Sequence, residues 1–409
     1  MTLLLLPTAA FSLKKLLFKI LLIALKQSVY FRNLDSLRFL AFLLVFLQHG
    51  FYNGFKLFIG ESDFTNSLIN FFFASGGTGV QIFFVLSGFL ITYLLLVELR
   101  STGTVNILQF YTRRVLRIWP LYFAVLIFSF VIYPGLKGLI DIDSGLCSRP
   151  WYYFTFLANF DSIYISNNCP GRDAMTQGIV WSVSIEEQFY LFWPLLMFIF
   201  RKKWTNPMFI SVIFASLLFR YLNVDDDAAL YFHTFSVMGD LALGSIGAYL
   251  MISNPKFSGL IRDLPRPVIL LCYLLILLGY YVPDQVFHYT GSAVFSRIIL
   301  NSFWLFIILE QCFCANSPFQ LGNISSFNSL GKISYGLYML HPIGILIVDV
   351  SLRVLKIPQT SFLILFLSGV AGLSLSILLA RLSYRWLEQP FLNLKERFSI
   401  IHSRTLPND

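Results

Sequence analysis

The sequence predicts an all-α fold: a polytopic transmembrane helix bundle of about ten spans, with both termini in the cytoplasm. Three observations predict it. Only 12% of the 409 residues are charged, about half the share in a soluble domain, while 57% are hydrophobic and the mean hydropathy is +0.72. The apolar residues gather in stretches close to the roughly 20 residues that cross a bilayer. Lys and Arg collect at alternate ends of those stretches, as the preference of basic residues for the cytoplasmic side requires. With 44 Phe against 21 acidic residues, the chain is not a disordered one. The net charge of +9 does not indicate nucleic acid, because the basic residues flank apolar stretches and form no single solvated face. The 5 cysteines have neither CxxC nor Cys/His ligand spacing, which excludes a metal cluster.

Residues 1–32 form a basic amphipathic interfacial segment, in which Lys15, Lys19 and Lys26 share one stripe of a helix. Its lysines follow the first apolar run, which is not the order of a signal peptide. The transmembrane domain covers 33–395, with spans centred on 36–53, 79–98, 118–134, 180–200, 206–222, 233–252, 267–283, 294–315, 334–355 and 362–386. This arrangement puts 22 basic residues in the cytoplasm and leaves 8 outside, namely Lys56, Lys137, Arg149, Arg172, Arg220, Arg297, Arg353 and Lys356. A further span at Trp151–Phe160 would carry Arg201-Lys202-Lys203 outside, so that stretch belongs to an outer loop, 135–178, as an interfacial or re-entrant segment. Cys147 and Cys169 lie in this loop; an oxidising compartment would let them pair, and spacing alone leaves pairing open. Residues 396–409 make a short cytoplasmic tail, and no appended soluble domain is expected.

Ionisable groups within spans are costly and mark candidate sites. Arg38 and His49 are eleven residues apart on one helix face, about 16 Å along the axis. The bland account is that both reach headgroups from the helix ends. Arg113, Arg114 and Arg117 stand at the cytoplasmic entry to the third span, where guanidiniums suit phosphate and also suit lipid anchoring. Trp181, Ser184, Glu186 and Tyr190 cluster at the outer start of the fourth, able to hold a sugar or another hydroxyl compound; a helix N-terminus also favours Glu186 and Glu187 without any function. Ser87-Gly88 permits close helix approach, and His341 sits inside an apolar helix where packing alone would explain it. Asp225-Asp226-Asp227 reads as a solvated outer turn.

Taken in order, these blocks resemble acyltransferase family 3, the bacterial integral-membrane O-acyltransferases that modify surface polysaccharides, lipopolysaccharide, peptidoglycan and small glycosides. The resemblance runs through Leu34-Asp35-Ser36-Leu37-Arg38 with ten residues to His49, Phe83-Phe84-Val85-Leu86-Ser87-Gly88-Phe89, and Arg113-Arg114-Val115-Leu116-Arg117-Ile118 with Pro120 and Tyr122. It continues with Trp181-Ser182-Val183-Ser184-Ile185-Glu186, Phe189-Tyr190, Ser334-Tyr335-Gly336-Leu337-Tyr338, His341-Pro342 and Glu388-Gln389-Pro390-Phe391. Each piece is weak alone; their order is specific.

The resemblance implies an enzyme of the bacterial inner membrane, with Arg38, His49, Arg114 and Arg117 implicated in function. It implies acyl-coenzyme A, usually acetyl-coenzyme A, as a cytoplasmic donor substrate, no permanently bound cofactor, and an acceptor hydroxyl across the membrane. On this reading Arg38, Arg113, Arg114 and Arg117 bind the donor. His49 is general base or transient acyl carrier, two roles the sequence does not separate, and Glu186 orients it. Asp35, Ser87, Gly88 and Tyr122 support the site, and Trp181, Ser184, Tyr190 and His341 contact or support the acceptor. Membrane lipid is the remaining partner, and the oligomeric state stays open. The rival reading is a transporter of a lipid-linked or anionic compound, with Arg38 and Glu186 in its pathway. An unrelated multispan acyltransferase with a membrane-embedded His is disfavoured by the arginine blocks.

Overall fold

The computed structural model describes residues 29–58, 66, 69–70, 72–139, 147–169, 176–200, 205–281 and 290–398. Most of the expected interfacial segment, Arg201-Lys202-Lys203, parts of loop 135–178 and most of the tail lie outside these residues. Every regular element described is helical: α1 Arg32–Leu47, α2 Gly76–Thr102, α3 Ile107–Ile127, α4 Pro150–Phe154, α5 Ala158–Asn168, α6 Val180–Ile199, α7 Thr205–Leu222 and α8 Asp227–Phe232. Then come α9 Thr234–Ser253, α10 Pro255–Arg262, α11 Arg266–Tyr281, α12 Thr290–Phe313, α13 Ser325–Lys332, α14 Ser334–Val354, α15 Phe362–Ser383 and α16 Gln389–Glu396. Local chemistry marks several ends. The Asn106 side chain accepts from Gln109 N to cap α3, and α2 stops at Gly103, whose φ of 77° suits glycine. Asp226 caps α8 through Ala229 N, while Asp225 and Asp227 are exposed, so the acidic run is a solvated turn with one capping member.

Eight helices among the described residues are long and apolar enough to cross a membrane. They account for eight of the ten expected spans. The other two are α6, a 20-residue helix carrying Glu186 and Glu187, and α11, whose apolar part is the shorter Arg266–Leu278. Trp151–Phe160 does not form a span. It breaks at Phe156, where φ is 57°, into the short helices α4 and α5. Cys147 and Cys169 are joined by a disulfide, which ties the start of this segment to its end. Within it Asp161, fully buried, pairs with Arg149 at 2.6 Å, and the guanidinium lies over the Tyr152 and Tyr164 rings. That hydrogen bond raises the Arg149 pKa above its ordinary value.

The bundle is inverted relative to a soluble protein. Leu270, Leu271, Leu274, Leu275, Leu277 and Leu278 of α11 are exposed, as a lipid-facing helix requires, and polar groups lie inside. Two of the basic residues expected in outer segments are interior instead. Arg297 of α12 grips Asp240 of α9 with contacts of 2.6 and 2.9 Å, and Arg220 of α7 donates to Ser236 Oγ and the Leu230 carbonyl. A charge among helices surrounded by lipid has no water to turn to, so each is held by partners. Their removal from the sparse side only sharpens the charge asymmetry.

The axis of the bundle is the contact of α2 with α9 and α1. A Cβ on Gly88 would meet the Leu241 carbonyl oxygen at 1.9 Å, and one on Gly244 would meet the Val85 oxygen at 2.1 Å. The two backbones touch because neither helix carries a side chain there, and this approach places Ser87 on the cavity wall described below. Gly88→Ala should therefore push α2 and α9 apart and cost about 1–3 kcal/mol, as overpacking does. The check is the unfolding midpoint of the detergent-solubilised protein, with Gly103→Ala as the contrast, since nothing lies within 4 Å of a Cβ there.

Candidate active site

Three cavities follow one another through the bundle. The first, about 280 Å³, opens among α1, α2, α3 and α16 and gathers Arg38, Arg113, Arg114, Arg117, Lys332 and Lys395 against Asp35, Glu98 and Glu388. The second, about 100 Å³, shares Arg38, Arg114 and Arg117 with the first and adds Ser87, Glu186 and Tyr190. The third, about 700 Å³, holds His49, Trp181, Tyr231 and Asp349. Val80 and Tyr338 stand on the walls of both the second and the third.

The arginines differ in what already binds them. Arg38 Nη1 lies 2.8 Å from Asp35 Oδ1, and Tyr30 OH donates to the other oxygen of that carboxylate. Arg113 is satisfied by the protein: one nitrogen donates to buried Glu98 at 3.1 Å and another to the Phe398 carbonyl at 3.0 Å. These bonds make Arg113 an anchor between α2, α3 and the chain beyond α16 while it lines the first cavity. Arg114 lies between the rings of Phe110 and Tyr190, 5.4 Å from each centroid, and its Nε is buried without a hydrogen-bond partner. A buried guanidinium edge with an unused donor is costly unless something fills it.

Glu186 does not join His49 by any hydrogen bond described. Its Oε2 accepts from Tyr190 OH at 2.8 Å, and that hydroxyl is in turn bonded to Ser87 Oγ. Glu186 lines the arginine-rich second cavity, whereas His49 lines the third. Tyr122 and Ser184 lie on no cavity wall described; Tyr122 OH donates to the Tyr153 carbonyl, and Ser184 Oγ to the Val180 carbonyl within its own helix. The Tyr122 bond ties α3 to the disulfide-closed segment. Trp181 does face the third cavity and packs on Tyr231 at 5.1 Å.

The partner of His49 is His341. His49 lies in a π-helical turn, Gln48–Tyr52, that continues α1, a local widening often found at functional sites. Its Nδ1 is 2.8 Å from His341 Nε2, and His341 Nδ1 is 2.7 Å from the Tyr338 carbonyl oxygen. A carbonyl oxygen only accepts, so His341 Nδ1 carries a proton and donates. With both rings neutral, His341 Nε2 then accepts from His49 Nδ1–H, which leaves the lone pair of His49 on Nε2. This is the arrangement of an oriented base or nucleophile, with His341 as the group that fixes its tautomer.

Sequence reasoning missed Tyr338, Lys332, Lys395 and the pairing role of Glu98. Tyr338 carried a signal, standing three residues before His341 and so on the same helix face. The others are brought to the site by α13, α16 and α2, which no local pattern joins to it. Among the described residues, no group of three His, Cys, Asp or Glu residues could hold a metal ion.

The contrast between two neighbouring arginines is testable. Arg113→Ala should cost roughly 3–5 kcal/mol of stability, because it strands Glu98 as a buried unpaired charge. Arg114→Ala removes no carboxylate partner described and should lower the unfolding midpoint far less. Equal losses for the two variants would refute this division.

The model described as acyltransferase domain, acyltransferase family 3, matches residues 31–381. The peptidoglycan O-acetyltransferase OatA of Listeria monocytogenes is 28% identical over 390 residues, covering 88% of this chain and 56% of the relative. The putative peptidoglycan O-acetyltransferase YrhL of Bacillus subtilis is 29% identical over 391 residues, covering 88% and 55%. A putative O-acetyltransferase of Staphylococcus aureus is 29% identical over 397 residues, covering 90% and 58%. The chain spans little more than half the length of these curated relatives. No solved structure matches it. Because the family model covers well over half of the residues, the chain belongs to acyltransferase family 3.

Proposed function

We propose that the protein transfers an acyl group, acetyl in the first instance, from acyl-coenzyme A held at the arginine end to a hydroxyl acceptor at the histidine end. The observation that carries this reading is the run of adjoining cavities between Arg114, with its unused buried donor, and the His49–His341 pair. Arg114 and Arg117 bind the coenzyme's phosphates, for which guanidinium geometry is suited. Lys332 and Lys395 add positive charge at the same mouth. His49 Nε2 takes the proton of the acceptor hydroxyl as its oxygen attacks the thioester carbonyl; the carbon–sulfur bond breaks and the coenzyme thiolate leaves. In the covalent variant Nε2 itself attacks, and the acyl-imidazole passes its acyl group to the acceptor.

The arginine end is the cytoplasmic one on this reading. Two features support it: basic residues are concentrated at the expected inner ends of the spans, and the Cys147–Cys169 disulfide belongs in an oxidising compartment. The acceptor is then extracytoplasmic or membrane-associated in a bacterial inner membrane. Relatives named peptidoglycan O-acetyltransferases favour a glycan, and the Trp181–Tyr231 aromatic surface beside His49 suits a sugar ring.

His49→Ala should abolish acyl transfer by the purified protein while leaving acyl-coenzyme A affinity within about threefold; transfer retained at near wild-type rate would remove His49 from the chemistry. Thioester loss without ester formation, or export of an unmodified compound, would speak for hydrolysis or transport instead. For orientation, Ser166→Cys and Thr104→Cys are introduced separately with Cys272, Cys312 and Cys314 replaced by Ser. In intact cells an impermeant thiol reagent should label position 166 and spare 104. The opposite pattern reverses the proposed direction.

A further inference from the structure

We propose that Tyr338, Phe83 and Val80 form a partition between the arginine-lined cavity and the histidine-lined cavity, and that this partition sets the length of acyl group the protein accepts. The inference rests on the proposed direction of donor entry. Val80 and Tyr338 line both cavities, so whatever passes between them passes these side chains. Tyr338 is only 7% exposed and is tied from two sides. Its hydroxyl is 2.7 Å from Ser182 Oγ and donates to the Ile179 carbonyl at 3.2 Å. Its ring meets that of Phe83 edge to face at 5.6 Å. Three helices therefore supply the barrier: α14 carries Tyr338, α6 holds its hydroxyl, and α2 contributes Val80 and Phe83.

The space on the arginine side of this barrier is the smallest of the three, about 100 Å³ against about 280 and 700 Å³ on either side. A coenzyme thioester that enters from the arginine mouth leads with its acyl end. With its phosphates at the arginine mouth and its pantetheine arm along the second cavity, the thioester carbonyl comes level with Tyr338 beside the imidazole pair, so every carbon added to the acyl chain must pass the rings of Phe83 and Tyr338. An acetyl group adds one methyl beyond the carbonyl; a longer chain must displace aromatic side chains packed at interior density. Apolar pockets discriminate modestly per methylene, by about 10–200-fold, which suffices to separate acetyl from butyryl. Tyr338 also supplies the carbonyl that orients His341, so the barrier and the reacting imidazole pair occupy one turn of α14.

The test uses the full-length protein in detergent with acetyl-, butyryl- and hexanoyl-coenzyme A as donors and an N-acetylglucosamine oligomer as acceptor. Free thiol and acylated oligomer are both measured. The wild type should strongly prefer acetyl. Phe83→Ala and Val80→Ala should each raise the butyryl-to-acetyl ratio of transfer at least tenfold. Leu90→Ala, which enlarges the same cavity on the side it shares with the mouth, should leave the ratio within twofold. Donor affinity, measured by displacement of labelled acetyl-coenzyme A, gives the same ratio for any variant that binds without turning over. An unchanged ratio in both partition variants, or an equal rise in Leu90→Ala, overturns the partition while leaving the transferase reading intact. Absence of both acetyl transfer and acetyl-coenzyme A binding in the wild type overturns the donor reading, and the partition with it.

Discussion

A charge inside a helix bundle that faces lipid must be matched by another group, and most of this architecture follows from how that demand is met. Asp35 meets Arg38, Glu98 meets Arg113, and Asp240 meets Arg297. The last two join separate helices that hydrophobic packing alone would leave free to slide, because lipid offers side chains nearly the same apolar surroundings as a neighbouring helix, and the first lies within α1. The pairs are costly to assemble and costlier to break. They act as fixed points around which the close α2–α9 contact and the cavities are arranged.

Against that background the exceptions are informative. Arg114 is sandwiched by aromatic rings, yet its Nε has no partner, and Glu187 keeps one buried carboxylate oxygen unmatched. Arg114 lines the first two cavities, whereas neither Glu187 nor the satisfied Arg297–Asp240 pair lies on a cavity wall described. Buried atoms without a partner also occur away from the cavities, at Asn301 and Glu310, so it is the cavity beside Arg114 that makes a ligand its proposed partner. The same reasoning applies to His49, whose partner uses one ring nitrogen and leaves the other available.

The all-α bundle was legible because composition and charge placement act on the whole chain and need no knowledge of contacts. The helix-borne pair Arg38 and His49 was legible for a related reason: eleven residues on one helix fix their separation. What the sequence hid was contact across helices. Glu186 and His49 both carry suitable chemistry, and nothing in their local patterns shows that Glu186 turns to Tyr190 while His49 turns to His341, 292 residues away. The partners of Arg113 were hidden in the same way, since Glu98 lies across the α2–α3 turn and the Phe398 carbonyl near the far end of the chain. Arg220 and Arg297 were assigned to outer segments because a charge near a span end is ordinarily solvated, and only the packing of α7, α9 and α12 reveals their interior partners. The π-helical turn under His49 leaves no mark in the residue pattern either.

The second cavity, the smallest of the three, lies between the arginine mouth and the cavity of the histidine pair. A path between two aqueous compartments would leak water and ions if it were uniformly wide, and would carry nothing if it were uniformly closed. Here the smallest of the three cavities meets the largest at Tyr338, whose side chain bonds to α6 and whose backbone oxygen positions His341. A barrier built on any other helix would have to move independently of the reacting centre. Both therefore lie on one helical turn, and on the proposed mechanism the wall between the cavities and the orientation of His341 depend on the same backbone.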